Sequence, residues 1–440
     1  MDDLMGLAEG IVKKATGLGA QDAIADVYRN RNFQIRFSQN QVDIANTWRE
    51  TAGWLFVAVD RRIVVTEVKD FSKWEKVVDN TTMVARKSQE NDEYGGIAAG
   101  PFEYRSEPPD PKIVQLDDAG ALVDAGIEAA LKAGAKETAG SFWRNEEEHH
   151  LVTSGGVQAS RHGASLYFSI RALKSLDESG HGVECATTLR DFKPERAGRK
   201  AGEIAKQVDH PEKGEAGKHD VIFDTLFLGS LADQIVGRAG AFTVLAGLSP
   251  LKDKIGQQIA HEGVTLYDDA TAHSIGSRPW DDEGVPTRKT AVVEKGVLKT
   301  YLHNTSTAKL FKTATTGNAG LVAPTSYALA VEPGDRTKEE LFAEVRDGLY
   351  VTNTWYTRYQ SYVTGDFSTI PRDGIFRIKD GEIAGAVKDL RLTDNILGVW
   401  QRMEALSKER QEVMWWGEVS VPSLVPYGLA RQVGFTKSSM

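Results

Sequence analysis

The first half of the chain carries one structural plan twice, and this repeat is the strongest constraint on its fold. Gly-Ala pairs begin at Gly19 and Gly134, 115 positions apart, and at the same offset residues 28–30 (Tyr-Arg-Asn) match residues 143–145 (Trp-Arg-Asn). Each copy has a small-residue amphipathic helix, the Gly-Ala break and then alternating strands. This order predicts an α+β fold with helices packed on one face of a sheet.

The predicted domain borders follow from the repeat. The two copies cover about residues 3–90 and 118–208. A segment rich in Pro, Gly and alternating charge, residues 209–218, then marks a boundary. We therefore expect two domains. The first, residues 1–215, consists of the duplicated units packed on mixed sheets, and the second, residues 219–440, consists of antiparallel sheets with helices.

Local patterns within the copies predict short strands. Residues 23–27 and 33–37 are apolar enough to form two such strands, separated by polar residues. In the second copy, His149 and His150 follow three glutamates, and this run is typical of a charged, solvated strand edge. A pair of metal ligands at these two histidines is the less favoured interpretation.

The second half begins with a mostly apolar segment. Residues 226–247 predict a buried helix, although Gly229, Gly237 and Gly240 lower its intrinsic stability. Two hairpins are predicted around Lys295-Gly296 and around Asp380-Gly381, since glycine accepts the positive φ that tight turns need. Near the C-terminus, residues 396–406 have the periodicity of an amphipathic helix.

Composition excludes several functional classes. The net charge is −9 with no basic block, so a nucleic-acid role is not expected. The longest apolar runs are far shorter than a membrane helix requires, and the N-terminus lacks the basic start of a secretory signal. The single cysteine, Cys185, excludes an intrachain disulfide and fits a reducing, cytoplasmic location. Neither a G-x-S-x-G nucleophile motif nor a phosphate-binding P-loop occurs.

Several ordered motifs of the second half carry a family resemblance. They are residues 282–288 (DEGVPTR), 294–304 (EKGVLKTYLHN), 316–318 (TGN), 348–352 (GLYVT) and 363–368 (VTGDFS). In this order and spacing they resemble the TldD/PmbA family, most closely its TldE (PmbA) branch. The resemblance implies a proteolytic complex that acts on peptides or unfolded protein, in which a TldD subunit carries zinc and a TldE subunit pairs with it.

The zinc motif of the TldD branch is missing from this chain. The resemblance implies H-E-x-x-x-H on a helix that corresponds to residues 226–247, and a later cysteine; zinc catalysis also needs an open coordination position for water. That helix here has no His, Glu or Cys, and residues 415–418 read Trp-Trp-Gly-Glu where the cysteine is expected. We therefore expect no catalytic residues and no metal in this chain, and zinc in a TldD-type partner.

Two alternatives remain open at this point. The chain could be a metallopeptidase on its own, with a metal held by loop residues, or a homodimeric peptide-binding module without a protease partner. Carboxylates and imidazoles suit several metals. The residues available for such a loop site are Asp268, Asp269, Asp281, Asp282, His273 and His303.

Peptide or partner binding is predicted for an aromatic strand and for motif residues. Trp, Tyr and Arg dominate the binding energy of many interfaces, and an exposed strand can add an extended peptide at its edge. An ordinary half-buried strand remains equally compatible with the pattern. The predicted binding residues are Trp355, Tyr356, Arg358, Tyr359 and Tyr362 in the strand, and Asp282, Arg288, Asn304, Asn318 and Asp366 in the motifs.

Overall fold

The computed structural model describes residues 3–105 and 107–438. Residues 1 and 440, where the predicted domains begin and end, lie outside these ranges. The α+β class is confirmed, with two sheets that follow each other along the chain. The first half contains α1 (Leu4–Gly17), β1 (Asp22–Ser38), β2 (Gln41–Val59), β3 (Arg62–Val68), α2 (Trp74–Ala85), α3 (Pro111–Val114), α4 (Gly120–Ala133), β4 (Glu137–Thr153), β5 (Gln158–Ser175), β6 (Glu178–Ala186) and α5 (Pro194–Gln207).

The six strands of the first half form one sheet in the order β3-β2-β1-β4-β5-β6. The two copies meet where β1 pairs antiparallel with β4. Their hairpins have the same register at the offset of 115, since Asn32 lies opposite Trp48 and Glu147 lies opposite Gly163. All pairings in this sheet are antiparallel, whereas the sequence predicted mixed sheets here. The reason is that the strands within each copy are joined by short turns, which return the chain in the opposite direction.

The helices lie on one face of this sheet. The first copy packs α1 and α2 against alternate apolar residues of β1 and β2, and the second copy packs α4 and α5 against β4 and β5. Between these helix pairs the same face carries ion pairs, including Arg29 with Glu148 and His162 with Glu146. The polar run in the middle of β1 is therefore paired across the sheet, which is why one long strand replaces the two predicted short ones.

The histidines of β4 do not lie at a strand edge. β4 is a central strand, between β1 and β5, and His149 and His150 are only 15% and 16% exposed. His149 contacts Asp26 of β1 at 3.0 Å, and His150 contacts Glu148 at 3.0 Å. The prediction of a solvated edge was wrong, because β4 has a strand on each side, and Asp26, Arg29 and Arg161 on those strands pair with the charged run.

The second half contributes a larger sheet. Its path is β11-β10-β9-β12-β18-β8-β13-β14-β15-β7, with β16 and β17 attached to β18. The elements are β7 (Glu212–Lys213), β8 (Gly217–Phe223), α6 (Thr225–Arg238), α7 (Ala241–Leu245), β9 (Leu266–Asp269), β10 (Lys289–Glu294), β11 (Val297–Leu298), α8 (Thr305–Leu310), β12 (Leu329–Val331), α9 (Lys338–Ala343), β13 (Asp347–Ser361), β14 (Asp366–Lys379), β15 (Glu382–Lys388), β16 (Leu390–Asn395), α10 (Ile396–Gln401), β17 (Met403–Trp415) and β18 (Val419–Lys437).

The mixed pairing that the sequence placed in the first half occurs in this second sheet. Three pairs are parallel: β8 with β13, β12 with β18, and β7 with β15. Parallel neighbours need a long connection, and the chain between β8 and β13 supplies one that includes α6. Both predicted hairpin turns are present, at Lys295-Gly296 and Asp380-Gly381, with positive φ at all four residues.

Two predicted helices are shorter than expected. The helix at residues 226–247 is interrupted at Gly240, because the backbone of Ala239 and Ala241 pairs with Leu302 instead of continuing the helix. The helix at residues 396–406 ends at Gln401, and Met403 begins the strand that pairs with β18. In both places pairing with a distant segment overrides local periodicity.

No helix in the described ranges is long and apolar enough to cross a membrane. The predicted domain boundary at residues 209–218 remains a prediction. The short strand β7 inside that segment belongs to the second sheet.

Close helix packing in the first half gives a first testable prediction. Gly198 of α5 meets α4 so closely that an added Cβ would lie 2.0 Å from the carbonyl oxygen of Gly126. We expect Gly198→Ala to force the helices apart and to lower the free energy of unfolding by about 1–3 kcal/mol. Gly237→Ala is the control, because nothing lies within 4 Å of its added Cβ. Equal melting temperatures for the two variants would contradict the prediction.

Candidate binding cleft between the two halves

A cleft of about 970 Å³ lies between the first sheet and loops of the second half. One wall is the face of the first sheet opposite its helices, and the other includes the loop at residues 271–275 and the end of β17. This volume is in the range of ligand-binding clefts. Lining residues that bear on its chemistry are Arg105, Glu147, Arg161, Thr187, His273 and Met414.

An unpaired strand edge borders this cleft. β6 pairs with β5 only from Leu166 onward, so residues 158–165 of β5 have no strand on their outer side within the described ranges. Residues 160–165 line the cleft, and all of them except Arg161 and His162 have small side chains or none. An edge of this kind offers free backbone N–H and C=O groups to an extended chain.

Glu147 and Arg161 line the floor of the cleft, and further charged groups lie beside them on the same sheet face. The guanidinium of Arg161 pairs with Glu147, and His149 lies between Glu147 and Asp26, at 3.5 Å and 3.0 Å. Burial alone would raise the pKa of Glu147, but Arg161 and His149 outweigh it and hold that pKa below its usual range. For His149 burial opposes the charge, yet Asp26 and Glu147 raise its pKa. This arrangement therefore favours the charged forms of both Glu147 and His149.

Two buried carboxylates fix the halves on either side of the cleft. Asp224, at the start of α6, is fully buried and accepts a hydrogen bond from Lys200 of α5 at 2.5 Å and another from Tyr350. Asp373 of β14 accepts hydrogen bonds from Arg171 and Ser179 of the first sheet at 2.8 and 2.7 Å. Burial opposes ionisation of both acids, but their cationic partners lower the pKa of each.

The segment where the zinc motif was expected is buried in the hydrophobic core. Ten residues of α6 are buried, and its Gly229 lies against Val413 and Val419 of the C-terminal hairpin. The single acid of α6, Asp233, accepts the backbone N–H of Ser420 at 2.8 Å. Trp415 is buried and its ring lies 5.0 Å from that of His181. These residues do not fit the expected zinc site, because α6 supplies one carboxylate and no histidine or cysteine, and its buried face is filled by apolar packing.

The aromatic strand lies at the end of β13, outside the cleft lining. Trp355 packs against both Trp415 and Trp416, and Tyr359 stacks on Tyr362 with Arg238 over both rings. Tyr356 and Tyr362 are exposed, and the guanidinium of Arg358 lies over the ring of Tyr356. The regular strand is interrupted here, because Tyr356 has a φ of 62° and the N–H of Thr357 bonds to Glu418. Edge addition at this strand is therefore obstructed at these two residues.

The five motif residues do not converge with the aromatic strand; each has a local partner. Asp282 pairs with Arg278, Arg288 donates to carbonyls at residues 315 and 316, and Asn304 caps α8. Asn318 donates to the buried Asp268 at 2.7 Å, and Asp366 accepts from Asn395. Asn304 also lines a small pocket beside Glu283. Whether any of them binds peptide or partner stays a prediction.

The acids and histidines considered for a loop metal site point to different partners. Asp281 accepts three backbone N–H groups, including that of Ala319, and His303 contacts Thr307. His273 contacts Thr187 across the cleft at 2.8 Å. Within residues 3–105 and 107–438, no three His, Cys, Asp or Glu side chains form a group that could hold a metal ion.

The cleft residues Glu147 and Arg161 were not among the predicted binding residues. The signal for Glu147 was the charged run at residues 146–150, which lies inside the repeat but was interpreted as a surface edge, whereas Arg161 lies outside that run. When a strand has a neighbour on each side, its charged residues can pair with residues of those neighbours. The register of the repeat indicates which strands these neighbours are. That signal was therefore present in the sequence.

Comparison with known proteins identifies the family. Residues 216–436, half of the chain, match the family model described as the PmbA/TldA metallopeptidase C-terminal domain. The chain belongs to the PmbA/TldD family of metallopeptidases. The predicted family is confirmed, and the position of the match agrees with the motifs of the second half.

Relatives and one solved structure agree with this assignment. A metalloprotease of Methanothermobacter thermautotrophicus is 28% identical over 306 residues, 66% of each chain. A metalloprotease of Methanocaldococcus jannaschii is 35% identical over 204 residues, 44% of each chain, so the matches span less than two thirds of these relatives. The crystal structure of TldE from Thermococcus kodakarensis superposes with a TM-score of 0.86 at 20% identity, over 98% of this chain and all of that one, and shows the shared fold.

A pH dependence follows from the acids of the DEG motif. Burial raises the pKa of Glu283 to about 8 and that of neighbouring Asp281 to about 7. The folded protein then keeps a proton on Glu283 that the unfolded chain has released above about pH 4.3, so stability falls as the pH rises towards 8. We expect Glu283→Gln to remove part of this fall, so that its free energy of unfolding relative to wild type increases from pH 5 to 8.

Urea unfolding at several pH values measures this difference. Glu75→Gln, an exposed position on α2, is the matched control and should follow the wild-type profile. Parallel profiles for Glu283→Gln and wild type would contradict the prediction.

Proposed function

We propose that this PmbA/TldD family member is a subunit without its own zinc, which joins a zinc-bearing TldD-type relative and helps to form its peptide cleft. The observation that carries the proposal is the packing of α6. A helix that would hold two histidines and a proton acceptor instead buries aliphatic side chains against the C-terminal hairpin. Zinc catalysis in such an assembly would then belong to the partner, in a cytoplasmic complex.

The cleft supports a role in binding extended peptides. Its β5 edge leaves backbone groups free along residues 158–165, and its floor holds both charges of the Glu147–Arg161 pair. Backbone pairing gives affinity with little dependence on peptide sequence, while neighbouring side chains add selectivity. Unfolded segments and short peptides are the substrates that can pair in this way.

Copurification tests the subunit assignment. Tagged protein should retain a chain with the H-E-x-x-x-H motif, and zinc measured by elemental analysis should be stoichiometric in the complex and absent from the isolated protein. Peptidase activity should appear only when both chains are present. Stoichiometric zinc or peptidase activity in the isolated protein would overturn the proposal.

Filling the cleft tests the peptide site. Gly163 lies in the cleft wall, and an added Cβ there would make only ordinary contact with Glu147, at 3.5 Å. We expect Gly163→Phe to leave the fold intact and to weaken binding of an extended, fluorescently labelled peptide at least tenfold, as measured by anisotropy. Ala384→Phe, at an exposed position of β15 outside the cleft lining, is the control and should bind as wild type does. Unchanged binding by Gly163→Phe would place the peptide elsewhere.

A further inference from the structure

Strand β2 has a long edge that faces solvent. β3 pairs with β2 only over residues 53–59, so residues 41–52 have β1 on one side and no strand on the other within the described ranges. Nine of the ten residues 41–50 are exposed. At the offset of 115 this segment corresponds to the part of β5 that borders the cleft, yet nothing in the described ranges covers it. A long free edge without proline is a template for pairing with another chain.

The edge also carries large apolar side chains. Val42, Ile44 and Trp48 are 46%, 47% and 42% exposed. Trp48 stacks on Trp143 of β4 with ring centroids 5.6 Å apart, so its position is fixed before any partner binds. A preorganised tryptophan beside an aliphatic residue is typical of the central contacts of protein interfaces.

Three charged residues lie on this edge, Asp43, Arg49 and Glu50, and none of them forms an ion pair with the described residues. Neither Asp43 nor Arg49 makes an ion pair or side-chain hydrogen bond with the described residues, and Arg49 lies opposite another cation, Arg31 of β1. Like charges directly opposite each other in a sheet are unfavourable. Asp43 and Arg49 are six residues apart in one strand, about 20 Å, so they cannot neutralise each other within the chain.

We propose that residues 42–50 of β2 pair antiparallel with the same segment of a second copy of this chain, about a two-fold axis at Asn46. In this register Ile44 of each copy lies opposite Trp48 of the other, and Asp43 comes within reach of the other copy's Arg49. The apolar pair and the charge pair thus select the same register, as an isologous interface requires. The two six-stranded sheets then form one continuous sheet. This inference does not rest on the proposed function.

Charge reversal tests the pairing in solution. Light scattering should give twice the chain mass of 48.2 kDa for the wild type at micromolar concentration, and Asp43→Arg or Arg49→Asp alone should give 48.2 kDa. Mixing these two variants should restore the dimer, because one then carries two cations and the other two anions. Asp124→Arg on α4 is the control and should remain dimeric. A monomeric wild type would overturn the proposal, and so would single variants that stay dimeric. A wild type that is monomeric alone and binds only a different chain through this edge would also overturn it.

A cysteine at the axis tests the register. Directly opposed residues of antiparallel strands have Cα atoms about 4.5–5.5 Å apart, within the range of a disulfide. Asn46→Cys should give a disulfide-linked dimer on mild oxidation, whereas Thr51→Cys, about 33 Å from its equivalent in this register, should not. Cys185, the one native cysteine, is replaced by Ser in both variants. Equal cross-linking of the two variants, or none at Asn46→Cys, would overturn the proposed register.

Discussion

The arrangement of this molecule depends on two carboxylates buried between its halves. Asp224 and Asp373 lie in the second half, and each takes its cation, Lys200 or Arg171, from the first. Removal of one partner of a buried pair leaves a charge without compensation, at a cost of about 3–5 kcal/mol. These pairs therefore hold the first sheet at a fixed position against the second, and the cleft between the halves exists because of that position.

The repeat supplies two equivalent strand edges, which the rest of the chain treats differently. The second half packs beside β5, so that edge becomes the wall of a cleft, whereas the equivalent part of β2 stays in solvent. The side chains follow this difference. Gly163 leaves room in the cleft, and its counterpart Trp48 stacks on Trp143 and presents an apolar surface. The two copies of the repeat thus place equivalent strand edges in different surroundings, one beside a cleft and one in solvent.

Closure of the α6 region connects packing with function. On α6, where the zinc motif of the TldD branch was expected, a zinc site would need space for a metal ion and a bound water. Here the residues around Gly229 and Val413 use that space for contacts between aliphatic side chains, each of which contributes to stability. The protein has the family fold, and the segment in which the zinc motif was expected belongs to the hydrophobic core.

The sequence by itself determined the α+β class, the family, the repeat and the lack of His, Glu and Cys in α6, because these follow from local periodicity and from residue types at fixed spacing. It did not determine that β1 is one long strand, that residues 403–406 leave the helix, or that Glu147 and Arg161 line a cleft. Each of these depends on a partner more than 20 residues away: β4 neutralises the polar centre of β1, β18 pairs with β17, and the loop at residues 271–275 covers the sheet face. Local pattern carries no information about which distant segment supplies the missing hydrogen bond or charge, and only the tertiary structure decided that.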